Sequence, residues 1–188
     1  MSTVNVTNPT KVITGLVRFS YVSVFEATAM NEGDTPKYNL CILIPKSDKT
    51  TLEKINKAIE AAKEYGRSKV ADKNGRIPAN LKTPLRDGDE ERPDDESFEG
   101  HYFLNASSLR RPGIVDQDLN PILDREEFYS GCYGRASLNF YAYNSNGVSK
   151  GIAAGLNNLQ KLREGEPLAG GASAEADFGG DNAYDELA

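Results

Sequence analysis

The stretch "SGCYGRASLNFYAYN", residues 130–144, decides how the fold is read: in a chain without tryptophan it gathers three tyrosines, a phenylalanine and an arginine. If residues 132–143 form a strand, successive side chains point to opposite sides. One face then carries Cys132, Gly134, Ala136, Leu138, Phe140 and Ala142, and the other carries Tyr133, Arg135, Ser137, Asn139, Tyr141 and Tyr143. The first set is small and apolar, which suits the tapering interior of a small barrel. The second interleaves flat rings with a cation and hydrogen-bonding groups. Such a face can stack the bases of a single strand and neutralise its phosphates, or it can simply stabilise a sheet through cross-strand pairs.

Outward from this stretch, "KVITGLVRFSYVSVFEA" (11–27) is too β-branched for a helix and predicts a long strand bent at Gly15. Alternation sets Val17, Phe19, Tyr21 and Phe25 on one of its faces and Arg18, Ser20, Val22 and Val24 on the other. The turn "NEGDTP" leads to a second strand, "KYNLCILIPK", expected to pair with the first as a hairpin. In "SDKTTLEKINKAIEAAKEYG" the period changes: Leu52, Ile55, Ile59 and Ala62 recur at helical spacing, with Thr50 and Glu53 placed as a capping box and Gly66 as the stop. Residues 72–99 hold three prolines amid dense charge and predict a loop excursion contributing little core. "HYFLNASSL" returns to strand composition, "RRPGIVDQDLNPIL" reads as extended chain, and a turn at Asn146-Gly147 precedes a last strand. With one helix available for crossovers, a mainly β, OB-fold-like antiparallel barrel fits better than a parallel α/β sheet.

The net charge of −6 is unevenly spread. All 22 Lys and Arg lie at or before Arg163, against 21 of the 28 acids, so residues 1–163 carry +1 and residues 164–188 carry −7. The expected organisation is therefore a binding domain over 1–163, with the charged excursion at 72–99, followed by an acidic tail of disordered composition over 164–188. In the tail, Phe178, Asp181, Tyr184, Asp185 and Glu186 are the candidate contacts for partner proteins. The cations on or beside strands, Lys11, Arg18, Lys37, Arg110, Arg111, Arg135 and Lys150, are candidates for a phosphate path, and Lys54, Lys57 and Lys63 are expected on the solvated side of the helix. Because the body is near neutral, any basic groove must be local and binding should weaken steeply with salt.

Cys41 and Cys132 sit apart in apolar runs and read as buried free thiols, and a single histidine makes a zinc site hard to build. The N-terminus lacks the pattern of a secretory signal, and no apolar run approaches membrane-spanning length, so a cytoplasmic protein without membrane contact is expected.

The blocks "LKTPLRDGDEERPDDESFEGHYFLNASS", "RPGIVDQDLNPIL", "YSGCYGRASLNFYAYN", "KGIAAGLNNLQKLREGEPLAGG" and "AEADF", in this order over nearly the whole chain, resemble a family of phage single-stranded DNA-binding proteins, long catalogued as a domain of unknown function in phages and prophages of Gram-positive bacteria. The resemblance implies an OB-fold that binds single-stranded DNA in phage replication and recombination. It also implies replication or recombination proteins of phage or host as tail partners, and a homodimer in some members. It supplies no contact residues, so Tyr133, Arg135, Asn139, Tyr141 and Tyr143 rest on the alternation alone. Some tailed-phage binders end in an aromatic residue, whereas this sequence ends "YDELA", which leaves Tyr184 or Phe178 to stand in.

Two other classes compete. "RDGDEERPDDE" could hold divalent metal ions in a nuclease, but its acids are contiguous in a loop, with no nuclease spacing or basic catalytic partner. No phosphate-binding loop or nucleophile motif occurs either, so neither enzymatic activity nor a cofactor is expected. A virion or scaffold protein assembling through the tyrosine face is the second alternative.

Overall fold

The computed structural model describes residues 8–29 and 31–168. The first predicted strand is divided into β1 (Lys11–Ile13) and β2 (Val17–Thr28). The break falls at Gly15, whose N–H donates to Thr51 Oγ1 at 2.9 Å and where a Cβ would lie 2.7 Å from Asp48 Oδ2. Any larger residue here would have to displace the Asp48 and Thr51 side chains at the start of the helix that follows. β3 (Lys37–Pro45) pairs antiparallel with β2, as the hairpin reading expects.

Alternation along β2 holds only as far as Phe19. Tyr21 takes a positive φ of 48°, and the β2–β3 register slips between Ser20 and Ser23. A one-residue slip sends every later side chain to the other face. Val24 is therefore fully buried, while Tyr21, predicted to share the face of Phe19, is 65% exposed.

Helix α1 (Lys49–Tyr65) buries Leu52, Ile55, Ala58, Ile59 and Ala62 and ends at Gly66, as the spacing predicts. Its N-cap differs from the expected Thr50/Glu53 box. Asp48 accepts from Thr51 N at 3.1 Å and from Thr51 Oγ1 at 2.6 Å, because the helix begins at Lys49 and Thr50 already lies inside its first turn. A short α2 (Arg67–Val70) follows.

The excursion is more ordered than its composition suggests. It forms β4 (Arg86–Asp87), α3 (Gly88–Glu91) and a 3-10 turn (Glu96–Phe98), and β4 pairs with β5 (His101–Ser108). Phe98 is buried with Cys41, Leu43 and Phe103 in a second, smaller core on the outside of β3 and β5. Leu40 to Ile44 are therefore all buried, because β3 is covered on both sides.

β6 (Gly113–Val115), β7 (Tyr133–Ser145) and β8 (Ser149–Arg163) complete the sheet. Asn146 and Gly147 both take positive φ (52° and 78°), the requirement of a tight hairpin turn between β7 and β8. The hydrogen-bonded order β2-β3-β5-β8-β7 returns to β2, so these five strands close a ring, antiparallel throughout except for the β5–β8 pair. β1 extends the sheet from β7, and β6 from β8. Phe19, Ile42, Leu104, Leu138 and Phe140 fill the ring, with Phe128 against Phe19 at a ring-centroid distance of 5.0 Å. Both cysteines are free and buried, as expected. Among the described residues no helix is long and apolar enough to cross a membrane.

Candidate nucleic-acid interface

β7 alternates as its sequence predicts: Gly134, Ala136, Leu138, Phe140 and Ala142 are buried, whereas Arg135 and Tyr141 are exposed and Tyr133, Ser137, Asn139 and Tyr143 are half-buried. The outward row nevertheless serves several neighbourhoods rather than one. Tyr133 faces Arg18 of β2 and Arg163 of β8 across the strand pairs, with guanidinium carbons 5.2 and 4.8 Å from its ring centroid. Arg18 also donates to the carbonyls of Gly131 (3.1 Å) and Glu166 (2.7 Å), tying residues 164–168 to the body. Tyr129 Oη donates to Glu164 and accepts from Gly165 N–H at 3.1 Å in the same seam, and Leu168 N–H donates to Ser130 O at 2.8 Å. Arg135 donates to Thr14 O at 2.9 Å, and Asn139 accepts from Thr10 Oγ1 at 3.0 Å, opposite Lys11.

Tyr141 and Tyr143 lie elsewhere. They pair with Ala153 and Gly151 of β8, and the Tyr141 ring lies 3.5 Å from where a Cβ on Gly155 would stand. Ala153 thus makes a low floor, with Tyr143 on one side and β5 on the other, whereas Gly151 is covered by Lys82, whose O lies 2.5 Å from where a Cβ would stand.

Over this floor runs a groove of about 1060 Å³, lined by Tyr143, Ala153, Asn105, Ser107, Tyr102, Lys82, Arg86 and acids of the excursion. A second groove of about 760 Å³ crosses the outer faces of β3 and β5 and is lined by Tyr21, Lys37, Asn39, Arg92 and Phe103. Both are lined by Asn105 and Ser107, so the two grooves adjoin at β5 as a trough from Ala29, Asn31, Asp34 and Thr35 to the base of the β7–β8 hairpin. Of the predicted cations, only Lys37 lines it; Lys150 donates to Ala71 O just beyond its end. Arg110 and Arg111 follow β5, and Arg111 stacks on Phe25 at 5.4 Å.

Sequence reasoning missed Tyr21, Tyr102, Asn105, Ser107, Lys82, Arg86 and Arg92. The alternation of "HYFLNASS" puts Phe103, Asn105 and Ser107 on one side of a strand, a signal that was legible; Tyr21 depended on an unpredicted bulge, and the arginines on an excursion read as loop.

The excursion's carboxylates are engaged in capping and ion pairing. Lys46 lies 2.7 Å from both Asp87 and Asp89, and these hydrogen bonds hold both carboxyls below, and the ammonium above, their ordinary ranges. Arg86 grips Glu91 with both Nε (2.8 Å) and Nη2 (2.6 Å), lowering the Glu91 carboxyl, and stacks on Phe103. Asp87 and Asp95 also cap α3 and the 3-10 turn. Among the described residues no group of three or more His, Cys, Asp or Glu side chains is placed to hold a metal ion. Burial pushes the Cys41 thiol, under the second groove, up to about 12.

Comparison with solved structures places this architecture. The single-stranded DNA-binding protein of bacteriophage Enc34, in complex with ssDNA, superposes with a TM-score of 0.73 over 86% of this chain and 91% of that one, at 24% identity. The single-stranded DNA-binding protein encoded by bacteriophage T7 gives 0.62 over 87% and 97%, at 12% identity. At such identities the likeness establishes the fold, a mainly β chain built like phage single-stranded DNA-binding proteins. Residues 10–188 match the family described as "Enterobacter phage Enc34, ssDNA-binding protein", and protein p50 of Acyrthosiphon pisum secondary endosymbiont phage 1 is 32% identical over 165 residues, 86% of this chain and 88% of its own. The protein belongs to that family.

Proposed function

We propose that the protein binds single-stranded DNA without sequence preference, along the trough over β3, β5, β8 and β7. The observation that carries this reading is the shared Asn105/Ser107 floor, which joins two grooves into one path bounded by the β2–β3 connection and the β7–β8 hairpin. The ring order, with its single parallel pair, supports an OB-barrel reading, and OB barrels take oligonucleotides on the face between those two connections. Tyr21, Tyr102, Tyr141 and Tyr143 offer rings for base stacking, and Lys37, Arg92 and Lys82 offer charges to phosphates. Arg135, Asn139, Lys11, Arg110, Arg111 and Lys150 are secondary contacts along the same sheet. Tyr133 and Arg18 hold the 164–168 segment as well, and their removal would act through that segment.

The biological setting in this reading is phage DNA replication and recombination in the host cytoplasm. The acidic tail lowers affinity until DNA displaces it, and it recruits replication or recombination proteins. Support comes from Leu168, which packs against the Cys41/Leu43/Phe98/Phe103 cluster under the second groove, so the last described residue lies beside the proposed path. Phe178, Asp181, Tyr184, Asp185 and Glu186, the candidate partner contacts, lie outside the described residues.

Fluorescence titration of the full chain with oligothymidylate and with duplex, across a salt series, tests the reading. Tighter binding to single strands, weakening with salt, is expected; preference for duplex, or an affinity indifferent to salt, overturns it.

A further inference from the structure

The charged stretch is polarised along the chain. Residues 67–85 carry five cations and one acid, Asp72, whereas residues 86–99 carry eight acids and two arginines. The fold anchors these two halves to different strands, α2 against β7 and β8 and α3 against β5. On the acidic side, Lys46 and Arg86 are already neutralised by Asp87, Asp89 and Glu91. On the other, Asn144 Nδ2 donates to Lys69 O at 3.0 Å and Lys150 Nζ donates to Ala71 O at 3.3 Å, fastening α2 and the following turn to the end of the β7–β8 hairpin. Lys82 bridges to Gly151 on the same hairpin and lines the trough.

The turn itself is firmly shaped. Asp72 Oδ1 accepts from the N–H groups of Asn74 (2.8 Å) and Arg76 (3.0 Å), and Arg67 Nη1 donates to Gly75 O at 2.9 Å. The one local acid is thus occupied with backbone, while Lys69, Lys73 and Arg76 are exposed and, among the described residues, in no ion pair. Their charge is available where that of Lys46 and Arg86 is not.

We propose that this cationic turn is a second phosphate-binding site: single-stranded DNA leaving the trough at Tyr143 passes over Lys69, Lys73 and Arg76, turned away from residues 86–99 by their carboxylates. The inference rests on the proposed trough and adds to it a direction and an extension. A strand long enough to reach the turn gains contacts that a short one lacks.

The test is the double variant Lys73→Ala/Arg76→Ala in the full chain, titrated with oligothymidylates from about 4 to about 16 nucleotides, the range of OB-fold site sizes. Both side chains are solvent-exposed and the turn's hydrogen bonds use backbone at these positions, so thermal melting should be unchanged. For the longest strands the salt slope should fall by about 1.4 and affinity by about 25-fold at 0.1 M salt, at about 0.7 per phosphate contact; for the shortest both should be unchanged. Lys69→Ala alone should give about half that change in slope, and Lys54→Ala/Lys57→Ala, on the far face of α1, none. A loss equal at every length, or no loss at any, overturns the inference. Failure of the unaltered protein to bind single strands overturns the trough reading instead.

Discussion

Phe98 meets Phe103 edge to face, with ring centroids 5.0 Å apart and planes at 90°, on the outside of the five-strand ring. This contact fastens the charged excursion to β5. It also fixes Arg86 and Arg92, whose guanidinium carbons lie 5.3 and 5.5 Å from the Phe103 centroid. Replacing Phe98 by Ala should cost about 3 kcal/mol by denaturant unfolding, at the lower end for a buried phenylalanine because the cluster is small. Single-strand affinity should fall with it as Arg92 loses its position; an intact affinity in the folded variant would remove Arg92 from the path.

Tyr143→Ala and Tyr141→Ala should each weaken single-strand binding by about 1 to 3 kcal/mol, the usual worth of a base stacked on a ring, with little change in melting. Phe140, one position away but inside the ring, should behave oppositely: Phe140→Ala should cost about 3 to 5 kcal/mol of stability. Fluorescence titration and denaturant unfolding on all three variants separate the two faces.

Gly155→Val should act through Tyr141. A Cβ at this position lies 3.2 Å from Asn139 O and in ordinary contact, 3.5 Å, with the tyrosine ring, so the branches of a valine crowd the ring from a Cβ already tight against the carbonyl. Weaker single-strand binding with a folded sheet is the expected result, read by titration and circular dichroism.

The Lys46 cluster predicts acid sensitivity. Asp87, Asp89 and Glu91 have folded pKa values below their ordinary ones, so they favour the folded state above the ordinary carboxylate range of about 4, and this contribution fades as pH falls through the depressed values. Lys46→Met should return Asp87 and Asp89 toward ordinary titration, observable by NMR. The raised Cys41 thiol has the opposite sign: it stays protonated in the folded chain at about pH 9, where an unfolded chain begins to ionise, so stability should decline above that pH and the thiol should resist aromatic disulfide reagents until unfolding.

Removing residues 169–188, rather than everything after Arg163, should strengthen single-strand binding if the tail competes. The shorter deletion keeps the Glu166 carbonyl for Arg18 and Leu168 on its cluster, so a change in affinity reports on the tail and not on a loosened seam. Equal affinity of the two proteins for oligothymidylate would remove tail competition from the account.

The parts legible in the sequence were those governed by short-range periodicity. The two faces of β7, the buried stripe of α1, the Gly66 stop and the Asn146-Gly147 turn all follow from spacing that no distant contact overrides. The misreadings have tertiary causes. Tyr21 reaches the trough through a bulge, and the excursion is ordered because Phe98 packs against Leu43 and Phe103, which lie outside it; only the helix cap is a local miss, Asp48 standing one position before the helix start at Lys49. The candidate site suffered most, since a trough is made by strands that meet only after folding: Asn105 and Ser107 are neighbours of Ala153 and Tyr143 in space alone.

The single parallel contact, β5 against β8, has a consequence for the order of assembly. β8 is the last strand of the ring and the only one that joins β5 to β7, so a nascent chain that has not yet emerged past Ser149 holds a curled sheet with two raw edges. Closure waits for the final fifteen-residue strand, whose long-range pairing is entropically slow to find. The ring thus closes only once β8 has been made, and a ribosome stalled before β8 should yield a sticky, protease-sensitive fragment instead of a smaller working domain.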